Sequence, residues 1–239
     1  MRQNPIFRRD ELLLNRGYML TALLIVVNAV FSVLVLINLY ALSLRAMETG
    51  EIRYRAFLEL YYALAAAELL LLLLLGPALT APALTGERER RTLPLLLTTL
   101  LTPADLVLGK FFSALSALGT LGASTLPLLL TGFVYGGIGS GELFLFLLLY
   151  LLTAVFSAAA GMLFSALCRS TAAAMLGSYS LVFVTAGLLV PLYLYRGLLP
   201  LPAPLLLFLS AAGLLLLSAL FLWISLRRIS PGKRRTGSA

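Results

Sequence analysis

Six apolar runs, each long enough to cross a bilayer, constrain this chain more than anything else in it. A helix rises about 1.5 Å per residue, so about 20 apolar residues cover the hydrocarbon core. Inside that core no water is available, and every backbone N–H and C=O has to be satisfied within the helix itself. The runs fall at residues 18–44, 57–84, 106–135, 142–168, 172–195 and 203–226. They predict an all-α, polytopic membrane protein whose single transmembrane domain is a six-helix bundle over 18–226. Charge agrees. Only 12% of the 239 residues are charged and mean hydropathy is +1.00, whereas a soluble domain carries about twice that charged fraction.

The charges sit between the runs, and their sign sets an orientation. With the N-terminus inside, Arg45, Arg53, Arg55 and Arg196 fall outside and the other 14 of the 18 Lys and Arg residues fall inside. That bias predicts both termini in the cytoplasm, in a plasma or inner membrane. The net charge of +8 is distributed along the flanks of apolar runs. Anionic lipid headgroups are therefore the expected counter-charge, not nucleic acid.

Residues 1–17 carry Arg2, Arg8, Arg9, Arg16, Asp10 and Glu11. So many charges do not suit a cleaved signal peptide, and the apolar run behind them is too long for one. Asn4 suits a helix cap and Pro5 a first helical position. Ile6, Phe7, Leu13 and Leu14 share a side, and Gly17 suits a stop. A short interfacial elbow helix is expected here, and a basic tail over 227–239.

The chain has no histidine, and Cys168 is its one cysteine. No His-containing triad, His metal site or intrachain disulfide can be built from it. Only the acids Glu87 and Glu89 cluster near other chemistry, and they sit among arginines. A lipid-modifying membrane enzyme would need clustered acids or an activated nucleophile, so no catalytic residue and no metal site is expected.

Glu68 is the one acid deep in a run, nine residues beyond Glu59, or about 13 Å at helical rise. A carboxyl at that depth has to be protonated, paired or facing water. It either lines a pathway or fixes a helix contact, with Asn28, Ser32, Ser124, Thr125 and Ser157 as polar candidates for the contact. Small residues recur at close-packing spacing in Gly119 and Ala123, in Ser157, Gly161 and Ser165, and in Ala173 and Gly177. Pro127 marks a local kink, and Pro200, Pro202 and Pro204 mark an outer turn.

The segment between the second and third runs is the most informative. It opens with Thr85-Gly86-Glu87-Arg88-Glu89-Arg90-Arg91, continues with an apolar stretch at 93–101 too short to span, and ends with Thr102-Pro103-Ala104-Asp105. The last four supply a cap, a first-turn proline and an acidic position, a helix start. The expected order is charged turn, short amphipathic helix, sharp turn and membrane helix. A plain connector needs only a few residues. A segment of this length reads as a docking element over 85–105, or as a helix resting on lipid.

Here the sequence resembles the permease subunits of ABC-2-type transporters, the type-two exporters powered by an ATP-binding cassette. The pattern is matched at Gly86-Glu87-Arg88-Glu89, Thr92-Leu93, Leu95-Leu96-Leu97-Thr98 and Val107-Leu108-Gly109-Lys110. Asn4-Pro5, the six spans and the Phe164-Ser165-Ala166-Leu167-Cys168-Arg169-Ser170 turn also agree. The chain departs from the family at Arg91, where glycine is common, at Pro94, where an acid is common, and at Leu100, where proline is common.

The resemblance implies an export permease without its own motor. Two such subunits, identical or merely similar, would form the pathway, and an ABC ATPase subunit carrying ATP and Mg would dock on the cytoplasmic side. The implied coupling residues are Gly86, Glu87, Arg88, Glu89, Arg90, Arg91, Thr92, Leu93, Asp105, Gly109 and Lys110. The residues themselves show no phosphate-binding loop, since Gly109-Lys110 is followed by Phe111 and Ala104 stands where the first glycine belongs. The alternatives are a self-contained carrier or channel, for which Glu68 would be essential, a non-transporting assembly factor, and an integral-membrane enzyme.

Overall fold

The computed structural model describes residues 18–49, 54–91, 103–134, 139–194 and 203–229. The expected elbow helix at 1–17, the apolar stretch at 93–101, Pro200 and Pro202 of the outer turn, and the tail beyond 229 lie outside them. The described residues form seven helices and no strand. These are α1 (Tyr18–Thr49), α2 (Tyr54–Thr80), α3 (Pro82–Glu89), α4 (Pro103–Val134), α5 (Ser140–Leu167), α6 (Thr171–Leu194) and α7 (Ala203–Ile229). Six stretches are long and apolar enough to cross a membrane, one for each expected run. The tail read as starting at 227 begins inside α7, because Arg227 and Arg228 still form its last turn.

Helix α5 is the centre of the bundle. It packs against α2, α3, α4, α6 and α7, and from Phe156 to Leu163 every residue is buried. Its small residues explain the closeness. Gly161 meets the Thr80 side chain and the Pro77 backbone of α2, and Gly76 of α2 meets the Ser157 side chain; a methyl group at either glycine would collide. The stripe is thus an internal seam, with Ser157 and Gly161 against α2 and Ser165 against α3. Gly119 and Ala123 behave differently: both are exposed on the outer face of α4. Pro127 also lies on an exposed face, inside an α4 that runs unbroken past it.

Helix α1 stands at the edge. Val27, Phe31 and Val35 are buried at four-residue spacing, while Ile25, Val26, Val30 and Val33 are exposed. One stripe faces the bundle and the rest is apolar surface of the kind lipid covers. Asn28 donates to Ser124 Oγ of α4 at 2.9 Å and to Leu24 O at 2.8 Å, which joins the two helices.

The second span ends in a break at Ala81, and α3 follows at once. Pro82 opens α3 at a position where a missing N–H costs nothing. The free donor of Leu84 is met from another helix: Ser165 Oγ of α5 accepts from Leu84 N–H at 2.9 Å and also lies 3.3 Å from Thr85 N. A cap normally comes from the preceding residue. Here Ala81 has no side-chain acceptor, and the bundle supplies one.

Candidate functional site

The charged tetrad Gly86-Glu87-Arg88-Glu89 is not the turn its composition suggested; it is the last turn of α3. The helix persists because its start is capped by Ser165 and its side chains are satisfied by three neighbouring helices. Glu87 Oε1 pairs with Lys110 Nζ of α4 at 2.7 Å, both side chains being largely shielded. Arg88 donates from Nη1 to the carbonyl of Cys168, the residue that ends α5. Glu89 Oε1 accepts from the Thr171 N–H at 2.7 Å.

That last bond is a helix cap supplied in trans. Thr171 is the first residue of α6, whose leading N–H groups have no partner within the helix. Negative charge is favoured at such an end. Glu89 lies exposed beyond the apolar part of the span, and the Thr171 N–H holds its carboxyl below the usual carboxylate range. Ser170 Oγ also accepts from Ala173 N–H, at 3.4 Å. The three charges therefore fasten the end of α3 to α4, to the end of α5 and to the start of α6.

The turn itself falls at Arg90 and Arg91. Arg90 N–H reaches Gly86 O and Arg91 N–H reaches Arg88 O, both at 3.1 Å. Arg91 has φ 56°, the only positive φ at a non-glycine among the described residues. This is the left-handed conformation that closes helices, and glycine is its usual occupant. Both arginines are exposed.

The remaining expected site residues divide cleanly. Asp105 lies in the first turn of α4 and Gly109 is buried one turn further on, beside Lys110. Thr92 and Leu93 lie outside the described residues. Glu68 is nowhere near this cluster. It is buried between α2 and α4, with Oε1 bonded to the Thr125 hydroxyl. Of the five polar candidates for that contact, Thr125 is the partner. Ser124 takes Asn28, and Ser157 turns to Ala154 O.

Sequence reasoning named both Glu87 and Lys110, and for the other two ties named Arg88 and Glu89 but missed their partners. Thr171 had a signal, since Ser170-Thr171 opens a helix and an unmet N–H there attracts an acid. The Cys168 carbonyl had none, because a backbone acceptor looks the same at every position. No group of His, Cys, Asp or Glu among the described residues is placed to hold a metal. The cluster is a junction of four helices at one end of the bundle, with exposed arginines at its tip.

A family model described as ABC-2 family transporter protein matches residues 9–212. No curated protein matches the chain.

Proposed function

Because the chain belongs to the ABC-2 transporter family, we propose that it is the permease subunit of an exporter whose ATP hydrolysis takes place on a separate ATPase subunit. The observation that carries this reading is the junction at the end of α3. A segment that served only to link two spans would need no ties to three other helices. Here Glu87, Arg88 and Glu89 join α3 to α4, α5 and α6, so a push on α3 reaches all three.

The ATPase would dock on the cytoplasmic side, against the exposed tip at Arg90 and Arg91 and the segment over 92–102 that follows it. ATP and Mg belong to that partner. A second permease chain would complete the pathway, and lipid would cover the outward apolar faces. Both termini lie in the cytoplasm on this reading, as the distribution of Lys and Arg favours. The role given to the tetrad differs from simple docking. Its charges are engaged within the chain, so they position the docking segment and pass movement on, while the contact itself falls to its neighbours.

The test is co-purification. The chain is expressed with candidate ATPase subunits, as wild type and with residues 92–101 replaced by a glycine–serine segment of equal length. Wild type should retain an ATPase and the replacement should lose it, with membrane insertion unchanged. Charge reversal at Glu87 or Glu89 is less direct, because it also breaks the ties to Lys110 and Thr171. An ATPase held equally well by both chains overturns the docking assignment. If no ATPase associates with wild type and transport instead follows substitutions of Glu68, the chain is a self-contained carrier.

A further inference from the structure

Glu68 is buried in the second span with 1% of its surface exposed. Its Oε1 is in hydrogen-bond contact with Thr125 Oγ1 of α4. Its Oε2 has no hydrogen-bond partner. The same Thr125 Oγ1 lies 3.1 Å from Gly122 O and 3.2 Å from Leu121 O, the back-bond that threonines make inside membrane helices. A hydroxyl owns one proton. Three acceptors therefore surround a single donor if Glu68 is a carboxylate. Whichever acceptor fails to receive that proton faces Oγ1 with no hydrogen between them.

Among the described residues, the surroundings supply no other donor and no balancing charge. Helix α5 presents Tyr150, whose hydroxyl donates to Leu118 O at 2.6 Å, so its proton is already used. Helix α6 presents Tyr179, which donates to Leu74 O at 2.9 Å. Helix α1 presents Asn28, which is bonded to Leu24 and Ser124. The charged residues of α4, Asp105 and Lys110, stand at its α3 end, and Glu142 of α5 stands at the far end. Those of α3 are engaged at the junction described above. A lone carboxylate held by one neutral hydroxyl in this setting is costly.

A neutral acid removes the conflict. Glu68 O–H donates to Thr125 Oγ1, and the Thr125 O–H then donates to the helix carbonyls of Gly122 and Leu121. The Glu68 proton then has Thr125 Oγ1 as its acceptor, and the Thr125 proton is shared only between the two carbonyls of its own helix. We infer that Glu68 is a proton-binding site within the membrane, and that the bound proton is the hydrogen bond joining α2 to α4.

A consequence for movement follows. When α2 and α4 part and water enters, the carboxyl is in the medium where a glutamic acid ionises, with a pKa of about 4.3. The O–H bond breaks, the proton passes to water, and the carboxylate is left hydrated. Closing the seam requires the reverse. Separation of these helices and release of one proton are then a single event.

The inference is independent of the ATPase reading, and its test uses the purified chain alone. Infrared difference spectra are recorded for wild type against Glu68→Gln at neutral pH. The expected result is the C=O stretch of a protonated carboxyl in wild type, lowered in D2O and absent from the variant. Thr125→Val, which removes the acceptor, should shift that band to higher frequency. If Glu68→Gln does not fold, the shift of the wild-type band in Thr125→Val still decides, since Glu68 is the carboxyl that Thr125 touches among the described residues. No protonated-carboxyl band in wild type overturns the proton site. A band that Thr125→Val leaves unmoved overturns the tie to α4.

Discussion

At the scale of single residues, the backbone at Arg91 explains a departure from the family pattern. Glycine is common at that position among the relatives this sequence resembles, and here φ is 56°. An L-residue with a side chain pays roughly 1–2 kcal/mol for the left-handed region, and glycine does not. Glycine gives some of that back through the greater freedom of its unfolded chain. Arg91→Gly should therefore stabilise the junction by about 1 kcal/mol, read as a rise in the unfolding midpoint in detergent. A fall would mean that the guanidinium, not the backbone, holds the turn. Glu68 shows the limit of reading residues from sequence. Its depth followed from helical rise, which counts distance along one helix. Its partner depended on how α4 is rotated about its own axis, and apolar runs leave that rotation open.

At the scale of elements, the boundaries of the spans were largely legible, because length and hydropathy decide them. Helix α4 was expected from 106 and begins at Pro103; α5 was expected from 142 and begins at Ser140. The end of the second span was misread as a turn. Its charges look solvated in sequence, and only the approach of α4, α5 and α6 turns them into ties. The small-residue stripe on α5 was legible as a close contact, but its partner was not. Two substitutions separate its two roles. Ser165→Ala removes the acceptor that caps α3 and leaves the buried Leu84 N–H unmet, a cost of about 1–3 kcal/mol. Gly161→Leu forces a side chain against the Pro77 backbone, where even a Cβ would approach Cα to 3.0 Å. Overpacking of this kind costs about 1–3 kcal/mol. Proteolysis at the charged end should increase for Ser165→Ala, whose damage is local to α3. Gly161→Leu should instead lower the unfolding midpoint of the whole bundle. Matching effects from the two would mean that α3 has no separate stability.

At the scale of the whole molecule, the bundle is asymmetric in a way that suits a coupled machine. One end gathers α3, the start of α4, the end of α5 and the start of α6 into a bonded junction. The opposite end holds Gly139 and the start of α5, with Glu142 in its first turn. Class and span number were legible in the sequence because a bilayer permits few solutions to an apolar chain of this length. Two of the junction's three ties were not, because they join residues some 80 positions apart. On the proposed function, this end receives an ATPase. The most direct measurement places a photo-crosslinking residue at Arg90 and, as a control, at Gly139, in cells that also express the candidate ATPase subunits. The account predicts a crosslink to the ATPase from position 90 and none from position 139. An ATPase captured from position 139 and not from position 90 would contradict it.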